Sequence, residues 1–307
     1  TTQCWGDNYY GQLGNGTTTE SSTPVTVSGI STAVAVSAGV DHTCAVLADG
    51  TVRCWGANDF GQLGNGTTIG SLIPVTVSGI NTAVAVAVSA GTTYRNYTCA
   101  VLADGTVRCW GYNASGQLGN GTTSNYNPNS PNSTPVAVSG ISTAVVVSAG
   151  DSHTCAVLTD GTLRCWGDNY FGQLGNGTTT DPSALVTVSG INTAVAVSAG
   201  FYHTCAVLAD GAVRCWGYND YGRLGNGTTT DSSTPVAVSG ISTAVVVSAG
   251  GPHTCAVLAD GTVRCWGYNL FGQLGNGTTT HSSTPVVVSG INTAVAVCAG
   301  GYHTCEL

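Results

Sequence analysis

One unit of about fifty residues is written six times along this chain, and no other feature constrains its fold as tightly. The unit reads HTCAVLADGTVRCWGYN-x-x-GQLGNGTTT, followed by a Pro-Val segment, Ser-Gly-Ile and a Val/Ala run ending in Ala-Gly. Its Trp-Gly pair falls at Trp5, Trp55, Trp110, Trp166, Trp216 and Trp266, with spacings of 50, 55, 56, 50 and 50 residues. Two insertions explain the longer spacings: Thr92–Tyr97, and the polar, Asn/Pro-rich Ser124–Asn132. A repeat this short cannot bury its own apolar face, so neighbours must stack.

Each unit divides into four strand-like segments. In the repeat that carries Trp55 these are Ala33–Gly39, His42–Leu47, Thr51–Gly56 and a segment near Pro74–Gly79. Ala48-Asp49-Gly50 supplies a tight turn, and a proline opening the fourth segment suits an outer edge. No segment carries a helical period. Four-stranded sheets repeated radially make a β-propeller. The expectation is an all-β fold, a β-propeller of six four-stranded blades forming one domain over residues 1–307. The chain starts in a third strand and stops in a second, so the terminal strands are expected to share one blade and close the ring.

The two cysteines of a unit stand ten residues apart across the Ala-Asp-Gly turn, which sets them opposite each other in a hairpin. Five disulfides are expected: Cys44 with Cys54, Cys99 with Cys109, Cys155 with Cys165, Cys205 with Cys215, and Cys255 with Cys265. Zinc would need four ligands where a hairpin offers two. Cys4 and Cys305 make a sixth expected pair, with only the turn cut away. Cys298 replaces the serine of the other units and is left as a free thiol, buried or available for an intermolecular bridge. Thirteen cysteines in all point to an oxidising compartment, hence a secreted or cell-surface protein. The absence of methionine fits a processed secretory chain or an excised segment of a longer one.

The string DGTVRCWG-x-N-x-x-GQLGNG, with the following Pro-Val strand and the AG-x-x-HT segment, resembles the regulator-of-chromosome-condensation (RCC1-type) repeat over all six units. Trp55, Gly56, Asn58, Gly61, Gln62, Leu63, Gly64 and Gly66 carry the signature in one of them. The resemblance implies a propeller, usually of seven blades; the complementary ends of this chain favour six. The family's namesake is a nucleotide-exchange factor that binds chromatin, and other members include a plant ultraviolet receptor and secreted bacterial β-lactamase inhibitors. The net charge of −8 and the want of a basic stripe argue against nucleic acid. All seven basic residues are arginines, and five (Arg53, Arg108, Arg164, Arg214, Arg264) share one repeated position; Arg95 and Arg223 break the pattern. No apolar run reaches the length of a membrane span.

Near-identical repeats permit an internal comparison: positions that differ between units are free of the demands of the blade. These cluster in the Gly-x-x-His turn, just after Trp-Gly, and after Gly-Thr-Thr, all in connections that leave one end of the sheet. The candidate partner-binding residues are Tyr9, Asp59, Tyr94, Arg95, Tyr112, Tyr170, Phe201, Tyr202, Tyr218, Asp220, Tyr268 and Tyr302. Tyrosine and phenylalanine among Gly, Ser and Asn suit an adaptable binding surface. The aromatic before the next glycine (Tyr10, Phe60, Phe171, Tyr221, Phe271) is assigned to packing. His42, His153, His203, His253 and His303 share a position that Tyr97 takes in the remaining unit. Such a ring would suit a metal, but the tyrosine favours a structural role, with each histidine bonding nearby backbone. Asn15, Asn65, Asn120, Asn176, Asn226 and Asn276 each open an Asn-Gly-Thr sequon, first of all a turn signal. No nucleophile, base and acid assemble, so neither an enzyme nor a cofactor is expected. The expected function is an extracellular, non-catalytic scaffold recognising a protein partner. Alternatives are a multivalent, lectin-like propeller binding glycans or a structural surface or filament subunit.

Overall fold

The computed structural model of the chain describes residues 1–89, 91, 95–124, 132–182 and 184–306. Among them there are 24 β-strands and a single 3-10 turn. The chain forms two compact units, Thr1–Ala149 and Gly150–Leu307.

A sheet from the second unit shows how the repeat folds. Its strands are Ala194–Ala199, His203–Leu208, Val213–Gly217 and Ser232–Ala237, antiparallel and in sequence order. The first unit repeats this with Ala33–Ala38, His42–Leu47, Val52–Gly56 and Ser71–Thr76. Alternation along the first strand buries Ala194 and exposes Val195, whereas the second strand lies between neighbours and is buried along nearly its whole length. Between second and third strands the turn closes as expected: Asp260 Oδ1 accepts from the Thr262 amide and hydroxyl at 3.0 and 2.7 Å, and Gly261 takes φ 78°. Those hydrogen bonds hold the exposed Asp260 carboxyl below its ordinary range.

The fourth strand starts earlier than expected. It opens at Ser71, paired with Gly56, and Pro74 sits inside it where the register shifts between Cys54 and Gly56. A proline is tolerated there because the ladder is already interrupted. In one repeat Pro182 occupies the place of Ser232, and the fourth strand shrinks to Val186–Thr187. A proline has no amide to offer the third strand, and it also removes the hydroxyl with which Ser232 binds the Thr234 carbonyl at 2.7 Å.

Five disulfides form as expected, each joining directly opposed residues with Cα atoms 4.1 Å apart. Cys4 and Cys305, expected as a sixth pair, lie one in each unit and are free thiols within their own units. Cys4 lies in Gln3–Gly6, which pairs only with Ser21–Thr26, and Cys305 lies in Thr304–Glu306, which pairs only with Val297–Ala299. Neither strand belongs to an Asp-Gly hairpin of the kind that sets the other five bonds. Cys305 stands opposite Cys298, which is also free and is exposed instead of buried.

The core is built between successive repeats. In the second unit Cys205, Val207, Val213, Leu224, Val238 and Ile241 pack with Ala256, Leu258 and Trp266 of the next repeat. Trp266 is wholly buried, which at about 25 cal/mol per Å² over roughly 200 Å² contributes about 5 kcal/mol as an upper estimate. Its indole N–H and the Thr254 hydroxyl both donate to the carbonyl of Arg223, at 2.8 and 2.9 Å. The same double bond runs from Trp55 and Thr43 to Gln12, and from Trp216 and Thr204 to Gln173. Within each unit a repeat thus locks the long loop of the repeat before it.

Candidate functional site

The loop after Trp-Gly is built around a buried asparagine. Asn219 Oδ1 accepts the Leu224 amide at 2.9 Å, and Nδ2 donates to the carbonyls of Thr228 and Thr230 at 3.1 and 2.8 Å. Asn58, Asn169 and Asn269 do the same in their repeats. The loop is fixed by its centre, so its flanking residues are free to vary. Tyr218 is half-buried and Asp220 exposed on either side of Asn219.

A second brace comes from positions expected to be merely variable. Asp181 and Asp231 accept the amides of Asn169 and Asn219 at 2.7 Å, and His281 Nδ1 accepts that of Asn269 at 2.9 Å. Residues of the third variable cluster therefore hold loops in place.

The histidines also behave differently from expectation. Four of the five, His42, His153, His203 and His253, bond a threonine hydroxyl of the following repeat, for example His42 Nε2 to Thr98 Oγ1 at 2.9 Å and His203 Nε2 to Thr254 Oγ1 at 2.8 Å. The threonine spends its one proton on a carbonyl, Gln62 or Arg223. Its oxygen must therefore accept, which places the imidazole proton on Nε2 and leaves Nδ1 bare. Nδ1 of His42, His203 and His253 is buried without a hydrogen-bond partner. A second proton would have no acceptor, and burial pushes His42 down to about 3 and His253 to about 4.

The candidate residues fall into separate groups. In the first unit, Tyr9 is exposed and packs edge-on against Tyr10 at 4.9 Å, and Tyr112 packs on Phe60 at 5.3 Å. Asp59 is exposed and Arg95 half-buried; Tyr94 lies outside the described residues. In the second unit seven candidates converge. Phe171 sits among Tyr170, Tyr202 and Tyr218, with ring centroids 4.9, 5.3 and 4.4 Å away, and Phe201 packs on Tyr202 at 6.4 Å. Tyr268 meets Tyr221 at 4.9 Å, His281 at 4.7 Å and Tyr302 at 6.1 Å. Phe201, Tyr202 and Tyr218 of the first group and Tyr221, Tyr268 and Tyr302 of the second line one cavity of about 280 Å³, together with Asp220, Arg223, Gly251 and Pro252.

Three contributors were assigned otherwise or overlooked in the sequence. Phe171 and Tyr221, given to packing, belong to this aromatic surface, with Tyr221 44% exposed. Arg223 is the third. Its guanidinium lies 4.5 Å from the Tyr218 ring centre, and its Nε and Nη1 donate to the carbonyls of Asp220 and Gly251 at 3.2 and 3.1 Å. The signal was in the repeat: the other five repeats carry glutamine there.

A family model described as an RCC1-like domain matches residues 4–305. The chain belongs to the RCC1-like family. The RCC1-like match explains the four-stranded antiparallel sheets as propeller blades. The ultraviolet-B receptor UVR8 of Arabidopsis thaliana is 33% identical over 189 residues, covering 60% of this chain and 41% of the receptor. The chain thus spans about two fifths of that relative's length. Human WBSCR16 superposes with a TM-score of 0.85 at 23% identity, over 99% of this chain and 80% of that one. Yeast RCC1 (Prp20), in its crystal structure with Kap60 bound, superposes with a TM-score of 0.64 at 18% identity, over 99% and 87%. At these identities the two structures show a shared RCC1-like fold.

Proposed function

We propose that this RCC1-like chain is a non-catalytic, extracellular scaffold that seats a protein partner on the aromatic loop surface of its second unit. The observation that carries this reading is the convergence of Tyr170, Tyr202, Tyr218, Tyr268 and Tyr302 on loops whose anchors are constant from repeat to repeat. Tyr170 and Tyr302 are 73% and 60% exposed, far more aromatic surface than folding requires. Rigidly held tyrosines on such loops are good anchors for a partner. Precedent within the family supports a protein partner, since yeast RCC1 has been crystallised with Kap60. Five disulfides support an oxidising, extracellular setting. A lectin-like reading would want equivalent sites in every repeat, and the aromatic pairs of the first unit do not reproduce this cluster.

The test compares the wild-type protein with Tyr170→Ala, Tyr202→Ala and Tyr302→Ala as immobilised baits in the native extracellular fraction. A protein retained by wild type should be lost from the variants, whose melting temperatures should stay within about 3 °C. Retention unchanged in all three variants would remove this surface from consideration.

A further inference from the structure

At position 223 the long loop carries an arginine in place of the glutamine of the other five repeats. In the other repeats a glutamine folds back so that its Oε1 accepts the amide two residues earlier: Tyr10, Phe60 and Phe171 at 2.9 Å and Phe271 at 3.0 Å. Arginine has no acceptor to offer. The clamp is lost at Tyr221, and the segment Asp220–Gly222 winds into a 3-10 turn with Tyr221 at φ 61°. Tyr221 is the only non-glycine residue with positive φ among those described. The substitution therefore trades a satisfied hydrogen bond for a strained tyrosine and a buried charge.

That charge is not cancelled by an ion pair. Arg223 is only 4% exposed, and its hydrogen bonds go to two backbone carbonyls, none to a carboxylate among the described residues. Nη2 makes no hydrogen bond there. Asp220 and Asp231 act on it through space only. The carboxylate of Asp220, which also lines the cavity, is engaged by the Tyr218 hydroxyl. A buried guanidinium held by neutral groups retains most of its field and favours an anion brought to it without water.

We propose that the cavity around Arg223 binds a carboxylate carried on an apolar stem, supplied by an acidic side chain or the chain end of the partner; this rests on the protein-partner reading above. A planar carboxylate matches the guanidinium fork, and the faces of Tyr202, Tyr218, Tyr268 and Tyr302 cover the stem. A dianionic phosphate fits less well, because one arginine faces it with Asp220 close by. The chain as a whole repels acidic partners at a net charge of −8, so this site would choose both the orientation and the identity of what docks.

The test titrates the intact chain with 3-phenylpropanoate and with its neutral isostere 3-phenylpropanamide, following tyrosine ring resonances. The carboxylate should bind at least about ten-fold more tightly than the amide, a difference of about 1.4 kcal/mol. Arg223→Gln restores the residue of the other five repeats, so the fold is kept, and it should equalise the two ligands. Asp220→Asn should strengthen carboxylate binding. Capped dipeptides then separate the sources: N-acetyl-Phe-Glu-amide offers only a side-chain carboxylate and N-acetyl-Gly-Phe only a chain end, and binding of either supports the site. Equal affinities for acid and amide, a preference that survives Arg223→Gln, or no binding of either up to about 20 mM would overturn the proposal. If the tyrosine variants still lose the partner in that event, the protein-partner reading stands and only the carboxylate falls. If the carboxylate preference holds while partner retention is indifferent to the tyrosines, the reverse is true.

Discussion

The indole Nε1 of Trp266 donates to the carbonyl oxygen of Arg223 across 2.8 Å, so a core side chain of one repeat fixes the long loop of the repeat before it. Trp266→Phe keeps most of the packing but leaves that carbonyl with Thr254 alone and opens space beside it. It should cost about 2–4 kcal/mol in urea unfolding. Trp5→Phe, at a residue 63% exposed, should stay within about 0.5 kcal/mol. Equal costs at the two sites would show that the interlock contributes nothing.

Gly225 approaches the same ring from the other side. It takes φ +69°, and a methyl group placed on it would lie 2.7 Å from Trp266 Nε1. Gly225→Ala combines left-handed strain with overpacking and should lower stability by about 2–4 kcal/mol. Gly240→Ala has a comparable φ of +67° but nothing within 4 Å, so only the backbone penalty of about 1–2 kcal/mol should appear. Calorimetric melting of the pair separates the two contributions, and indistinguishable melting points would refute the steric one.

Thiol titration of the native chain should find three reactive cysteines, Cys4, Cys298 and Cys305. A count of one would restore the Cys4–Cys305 bond that the repeat pattern suggested. Cys298→Ser returns the serine of the other repeats and should be neutral within about 0.5 kcal/mol, whereas replacing Cys205 and Cys215 together by alanine should cost about 2–3 kcal/mol.

Acid should destabilise this fold from a higher pH than carboxylates alone would require. An imidazole free in the unfolded chain titrates near 6.5, but His42 holds to about 3 and His153 and His253 to about 4 because burial penalises the cation. Between those limits the unfolded chain binds more protons, so stability falls as pH drops below 6.5 and this contribution levels off once the folded rings protonate. At about 1.4 kcal/mol per pH unit for each ring, the loss between pH 6.5 and 5 amounts to roughly 2 kcal/mol per histidine. Urea midpoints measured across that interval should decline steadily; a flat profile would contradict the bare-Nδ1 arrangement.

The sheets, their turns and five of the disulfides were legible in the sequence because each depends on local pattern: alternation, an Asp-Gly turn, and cysteines ten residues apart. The start of the fourth strand was not, because a proline ordinarily ends a strand and only the register shift opposite Cys54 and Gly56 admits Pro74. The aromatic surface proposed for binding was half legible. Variation between repeats pointed to Tyr170, Tyr202, Tyr218 and Tyr268, but the same argument counted Asp181, Asp231 and His281 as variable when they brace loops. Phe171 and Tyr221 were hidden because five repeats share an aromatic there, and a shared position reads as packing. Arg223 was visible as a break in the repeat, but its meaning needed the burial and the loss of the glutamine clamp.

Within each unit the hydroxyl that receives an imidazole belongs to the following repeat, and so does the indole that secures a loop. Because His203 finds in Thr254 what His42 finds in Thr98, the surfaces joining neighbours are interchangeable within each unit. A gene encoding such repeats can duplicate, delete or shuffle one by unequal recombination and still present matching seams. New loop tips can then be tried as cassettes, with no need to re-optimise the interior around them.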